Sequence, residues 1–279
     1  MKEKAYGKIN LFLDIVGKRL DNYHNLEMIM APIDIYDELV FKKSKQPGIR
    51  ISSDKEITKN PEDNLVYQVI AYMMEQHNIN SGVEVTITKH IPIAAGLGGG
   101  SADAAAALRA MNRLFKLKYS KEALSTLGEK FGSDVPYCVH NKLCIARGKG
   151  EELVFLDRKL NLPVLIISPN IKVSTKQVFE TVKMDQVQHR KITAMSNAIY
   201  NANCPLVKQN LYNALEPFSF KLFETIKTLK DELLDSGAEG VLMSGTGPAL
   251  FVLDQDQEKL KQLQLKYRDK HYTKLTKIK

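Results

Sequence analysis

Apolar and polar positions alternate from the start of the chain. Ile9, Leu11, Leu13 and Ile15 fall on one face of a strand predicted over 5–16, with Lys8, Asn10 and Asp14 on the other. Residues 28–42 and 49–52 supply further strands. The period then changes: from Asp63 onward, the spacing of Val66, Val69, Ile70 and Met73 predicts a helix. Val83–Thr88 alternates again as a strand. Leu108, Met111 and Phe115 mark the buried stripe of the next helix, whose Arg109 and Arg113 face outward. Ser120 caps another, with Leu124, Leu127 and Phe131 inside and Gly132 ending it. Strands over 143–156 close a first domain, 1–157.

The second domain, 158–279, opens on the short apolar run Val164–Ser168, which suits a buried strand. Lys172–Phe179 reads as a loop entering a helix, and 183–215 as polar helix with a loop around 201–205. Leu222, Ile226, Leu229 and Leu233 predict one helix ended by Gly237. Gly240–Leu253 predicts two apolar strands around a glycine-rich turn. A helix through Leu260, Leu263 and Tyr267 and a strand near 272–278 follow. Strands and helices mixed in this way predict an α+β fold, with a sheet and helices on one face in each part.

Composition removes several function classes. A hydrophobic content of 44% suits a globular chain with a real core. No run approaches the ~18 apolar residues of a membrane span, and the N-terminus lacks the apolar core of a signal peptide. The expectation is a cytoplasmic protein with no membrane partner. Cys138, Cys144 and Cys204 show no C-x-x-C spacing and the histidines no H-x-x-x-H pair, so neither a disulfide framework nor a zinc site is supported. The net charge is +8. Its C-terminal concentration alternates with apolar residues, which fits a solvated face better than a nucleic-acid surface, and net basicity suits polyanionic ligands. The sequence does not choose between a monomer and a weak homodimer.

The chemistry centres on Ile91–Ala107, IPIAAGLGGGSADAAAA. Gly96, Gly98, Gly99 and Gly100 allow backbone N–H groups to turn inward and a ligand to approach closely. The alanine-rich helix that follows adds unpaired N–H groups and the positive end of its dipole, with Ser101 as its N-cap. Such a concavity binds phosphate. No lysine precedes Ser101, which excludes a Walker A loop, and the spacing fails the dinucleotide fingerprint. A nucleoside triphosphate is the expected ligand. Ser101 could also place its hydroxyl on a phosphate-bound Mg²⁺. Asp134, in Gly132–Tyr137, is either a helix N-cap or the group that manages the acceptor's proton.

Pro92–Ala105 resembles the phosphate loop of the GHMP kinase superfamily, which phosphorylates small-molecule alcohols. Gly7-Lys8-Ile9-Asn10, Asp21-Asn22-Tyr23-His24, Gly132-Ser133-Asp134-Val135-Pro136 and Met243-Ser244-Gly245-Thr246-Gly247-Pro248 are similar to its flanking motifs in the same order. The combination is most similar to the branch acting on cytidine-diphospho-methylerythritol. The resemblance implies a ribosomal-S5-like N-terminal domain, a ferredoxin-like C-terminal domain, ATP and Mg²⁺. It makes Lys8 and Asp134 the catalytic pair. Pro92, Ile93, Ala94, Ala95, Gly96, Leu97, Gly98, Gly99, Gly100, Ser101 and Ala102 would hold the ATP phosphates. Asn10, Tyr23, His24, Thr175 and Phe179 would bind the substrate, with the Tyr23 ring stacked on cytosine and Phe179 as a matching wall. Tyr6-Gly7 stands where the family has Ala before the lysine, Asn22 where it has glycine, and Lys176 where proline is expected. A mevalonate- or homoserine-type kinase and a ligand sensor that has lost turnover stay open as alternatives.

Overall fold

The computed structural model describes every residue from Met1 to Lys279. The strands are β1 (Lys2–Lys18), β2 (His24–Ser44), β3 (Ile49–Ser53), β4 (Gly82–Thr88), β5 (Cys144–Gly148), β6 (Glu152–Phe155), β7 (Pro163–Ser168), β8 (Tyr212–Asn213), β9 (Val241–Met243), β10 (Leu250–Leu253) and β11 (Tyr272–Lys277). The helices are α1 (Leu65–Gln76), α2 (Gly99–Leu114), α3 (Lys121–Gly128), α4 (Val135–His140), α5 (Thr175–Glu180), α6 (Ile192–Tyr200), α7 (Cys204–Gln209), α8 (Glu216–Leu222), α9 (Glu224–Asp235) and α10 (Gln257–Tyr267). None is long and apolar enough to cross a membrane. The chain forms two compact units from interleaved segments. One comprises Met1–Gly7, Ile35–Ile93 and Gly98–Asn141; the other comprises Lys8–Asp34, Ala94–Leu97 and Lys142–Lys279.

In the first unit β4 lies antiparallel to the Glu38–Ser44 part of β2 and parallel to β3. The four apolar residues expected of α1 are all buried. Its start differs from expectation: Asp63 ends a short 3-10 turn, and the cap is Asn64, whose side chain accepts the Val66 N–H at 2.9 Å. Helix α2 buries an alanine-rich face; small side chains let neighbouring elements approach it closely. Arg109 does not face outward. It donates to Glu3 at 3.2 Å and to the carbonyls of Cys138 and Lys4, tying α2 to its neighbours. Ser120 caps α3 as expected, but that helix ends at Gly128, four residues before Gly132.

In the second unit Leu26–Met30 of β2 pairs with β5, and β5 with β6. Phe12 and Leu13 of β1 pair with β8 in parallel. The C-terminal sheet has the order β11-β7-β10-β9, antiparallel throughout. With α10 between β10 and β11 and the helical region α5–α9 between β7 and β9, this is the ferredoxin-like arrangement. Ile226, Leu229 and Leu233 of α9 are buried, each contributing about 1.5–3 kcal/mol. Leu222 belongs to a separate helix, because Phe223 leaves the helical region at φ −137°, ψ 78°. Gly237, at φ +81°, terminates α9 as its lack of a Cβ allows.

Candidate active site

The glycine-rich loop is built from alternating left-handed residues: Ala94, Gly96 and Gly98 have φ of +55°, +75° and +70°. Alternation of this kind turns successive N–H groups toward one side. Gly98, not Ser101, is the N-cap of α2; its left-handed φ of +70° favours glycine there. Ser101 is instead the third helical residue. The first bond of the helix runs from Ala102 N–H to the Gly98 carbonyl at 2.9 Å. The N–H groups of Gly99, Gly100 and Ser101 precede it, which leaves them without helical acceptors at the positive end of the dipole. A Cβ on Gly96 would lie 2.2 Å from the Ser244 carbonyl oxygen, so that position admits only glycine.

Several expected residues meet in the second unit. Lys8 is 5% exposed, contrary to the usual fate of a strand lysine, because both faces of β1 are covered. Its ammonium donates to Asn10 Oδ1 at 2.8 Å, and its N–H to the loop carbonyl of Leu97 at 2.9 Å. Asn10 in turn donates to Met28 Sδ. The C-terminal glycine turn closes on the same place: a Cβ at Gly245 would lie 3.3 Å from the Gly96 oxygen, 3.6 Å from Lys8 Nζ and 3.7 Å from Asn10 Oδ1. Ser244 Oγ donates to the Gly96 carbonyl at 3.0 Å, and Ala249 N–H to that of Ala95. Asn213, which the sequence does not single out, holds this turn. Its amide donates to the carbonyls of Met243 and Gly245, both at 2.8 Å, and its oxygen accepts the Leu215 N–H. Ser219 adds a bond to the Thr246 carbonyl.

The loop carrying Tyr23 and His24 turns tightly between β1 and β2. Asn22 takes φ +65°, the left-handed conformation for which glycine is usual and which asparagine tolerates. Asp21 accepts the Tyr23 N–H and the Arg19 guanidinium. His24 is 6% exposed and its Nε2 has no hydrogen-bond partner. Burial, helped by the charge of Lys18, holds the imidazole below its ordinary pKa and so neutral. Its ring stacks on Phe179, with centroids 5.4 Å apart. Tyr23 is not the ring facing Phe179; it is 56% exposed, with Lys149 Nζ 5.1 Å over it. Thr175 opens α5 and its hydroxyl lies 3.3 Å from that of Thr246. Lys176 sits in the first turn of α5, where proline too is tolerated.

Ser101 and Asp134 belong to the first unit. A Cβ at Gly132 would be 3.9 Å from Ser101 Oγ, so the Gly132–Asp134 turn lies against the start of α2. Asp134 occupies the N-cap position of α4, but its side chain makes no capping bond. The cap reading of this aspartate therefore loses its support.

The chain is similar to known proteins in both sequence and fold. The family described as "GHMP kinases N terminal domain" matches residues 64–142, and "GHMP kinases C terminal" matches 188–273. A 4-diphosphocytidyl-2-C-methyl-D-erythritol kinase of Clostridium perfringens is 40% identical over 257 residues, covering 92% of this chain and 89% of that one. A crystal structure of 4-(cytidine 5'-diphospho)-2C-methyl-D-erythritol kinase superposes with a TM-score of 0.85 at 29% identity, over 100% of this chain and 99% of that one. A homoserine kinase from Cytophaga hutchinsonii, 22% identical, shares the fold with a TM-score of 0.72 over 98% of this chain and 94% of its own. With likeness of this degree along nearly its whole length, the chain belongs to the GHMP kinases, in the 4-diphosphocytidyl-2-C-methyl-D-erythritol kinase family.

Proposed function

We propose that this chain works in the cytoplasm, transferring the γ-phosphate of ATP to the 2-hydroxyl of 4-diphosphocytidyl-2-C-methyl-D-erythritol. The products are ADP and the 2-phosphate, in the non-mevalonate route to isoprenoid precursors. The observation that carries the reading is local to one unit: the N-terminus of α2, with Ser101, lies against the turn that bears Asp134. A phosphate site beside a carboxylate is what phosphoryl transfer to an alcohol requires. The substrate assignment draws on the family and on the Tyr23-His24 loop.

In this reading Pro92–Ala102 receives the triphosphate on backbone N–H groups, aided by the dipole of α2. Mg²⁺, held by the phosphates and Ser101 Oγ, would neutralise charge on the β- and γ-oxygens. The 2-hydroxyl oxygen bonds to the γ-phosphorus while the bond to the β,γ-bridging oxygen breaks, and ADP leaves with that electron pair. Asp134 accepts the hydroxyl hydrogen. Lys8, fixed by Asn10, supplies positive charge to the reacting oxygens. His24, kept neutral, presents its unpartnered Nε2 to the pyrimidine edge, with Phe179, Tyr23 and Thr175 completing the substrate side. The functional division runs at 157/158, the N-terminal part carrying the phosphate loop.

ADP release from ATP and Mg²⁺ tests this, with the cytidyl substrate beside mevalonate, homoserine and galactose. Turnover with the cytidyl compound alone, lowered about 10²-fold or more in Asp134→Ala, is expected. Turnover with a different alcohol would overturn the substrate, and ATP binding without turnover would favour a sensor.

A further inference from the structure

At the entrance of the phosphate loop lies a buried ion cluster to which the reaction above assigns nothing. Lys89, directly after β4, is 4% exposed, and its ammonium bonds to Asp37 Oδ2 and, at 2.6 Å, to Asp103 Oδ2. Asp37 is on β2 and fully buried; Asp103 is the fifth residue of α2. The other oxygen of Asp37 accepts two backbone N–H groups, His90 at 2.6 Å and Ile91 at 2.8 Å. Those residues immediately precede Pro92. Gly99, where α2 begins, packs on the same group: a Cβ there would be 3.1 Å from Ile91 Cγ2 and 3.6 Å from Lys89 Nζ. Both ends of the loop are thus referenced to one lysine.

Stability alone does not call for such a cluster, since apolar replacements of buried ion pairs are often neutral or stabilising. Its contacts fall instead on the backbone that must keep its shape when phosphate binds. We propose that Asp37, Lys89 and Asp103 are positioning residues for the nucleotide, setting the distance between the entrance of the phosphate loop and the N-terminus of α2. The proposal rests on the kinase reading for its choice of ligand.

Calorimetric titration of the full chain with ATP tests this without requiring turnover, so a failed kinase reading and a failed positioning role remain distinguishable. Wild type, Lys89→Met, Asp103→Ala and Asp103→Asn are compared, with ligand-free melts and the acceptor KM as controls. Lys89→Met and Asp103→Ala are expected to weaken ATP about tenfold or more, while the acceptor KM changes less than about twofold. Asp103→Asn, which keeps an acceptor for the ammonium, is expected to stay within about threefold of wild type. Should Lys89→Met not fold, the two Asp103 variants carry the test. Unchanged ATP affinity in a folded Lys89→Met or Asp103→Ala, or equal losses in Asp103→Ala and Asp103→Asn, would overturn the proposal.

Discussion

Gly100 separates the demands of the fold from those of the ligand. It is exposed in the first turn of α2, and its φ is not positive. A Cβ added there would meet only Leu65 Cδ1, at an ordinary 3.9 Å. Nothing in the protein therefore requires glycine, and Gly100→Ala should raise the stability of the ligand-free chain by about 0.5–1 kcal/mol through helix propensity. For a chain of this size that is a rise in Tm of about 1–4 °C. A phosphate held by the N–H groups of Gly99, Gly100 and Ser101 would, however, come down on the added methyl, and we expect ATP to bind about tenfold more weakly. At an ATP concentration 100 times the wild-type Kd, bound ligand stabilises wild type by about 2.7 kcal/mol and the variant by about 1.4. Melts with and without ATP would then show a higher starting Tm and roughly half the ligand-induced gain. An unchanged ATP-induced gain would refute the placement of phosphate at Gly100, and a lower ligand-free Tm would refute the space assigned to its Cβ.

Gly96→Ala makes the opposite case: with the Ser244 oxygen 2.2 Å from the new Cβ and φ at +75°, denaturant titration should show a loss of several kcal/mol without any ligand. Asn213→Leu leaves two buried carbonyls and the Leu215 N–H unsatisfied, at a cost of about 2–4 kcal/mol in the same assay. For His24 the folded state disfavours the proton, so its contribution to stability is complete above the ordinary histidine pKa and is lost as pH falls through the depressed folded value. An NMR titration should place its midpoint below the usual histidine value; a midpoint at or above it would contradict the burial argument.

Most elements were legible because they follow local rules. The helical stripe of α1, the left-handed Asn22 and the glycine that ends α9 each need only their neighbours in sequence. Arg109 was not legible in the same way. On a helical wheel it belongs with Arg113 on the polar face, yet its acceptors are Glu3, Lys4 and Cys138, far away along the chain. The N-cap of α2 failed for a different reason: a serine is the commoner cap, but the residue before this helix is left-handed at φ +70°, which favours glycine at position 98. Asn213 carried no signal, since the two carbonyls it holds, of Met243 and Gly245, meet it only after folding, and its one local partner, the Leu215 N–H, is an ordinary asparagine turn contact. Phe223 breaks a helix whose apolar spacing reads straight through.

Several of the places where local rules are broken are residues proposed for the site. Lys8 and Asn10 occupy the polar positions of an alternating strand, and alternation alone would leave them in water. Burying them costs free energy unless they are bonded, and they are bonded to each other and covered by Gly245. Ala94 holds a left-handed conformation that costs an alanine about 1 kcal/mol, in the middle of the loop proposed for phosphate. Lys89 brings three charges into the interior for one grip on the loop's entrance. None of these is a response to the needs of a hydrophobic core, which an apolar β1 and a glycine at 94 would serve better. In each unit, then, the retained costs fall on residues proposed for the site, and such departures from the needs of a core are expected where a protein's stability is traded for function.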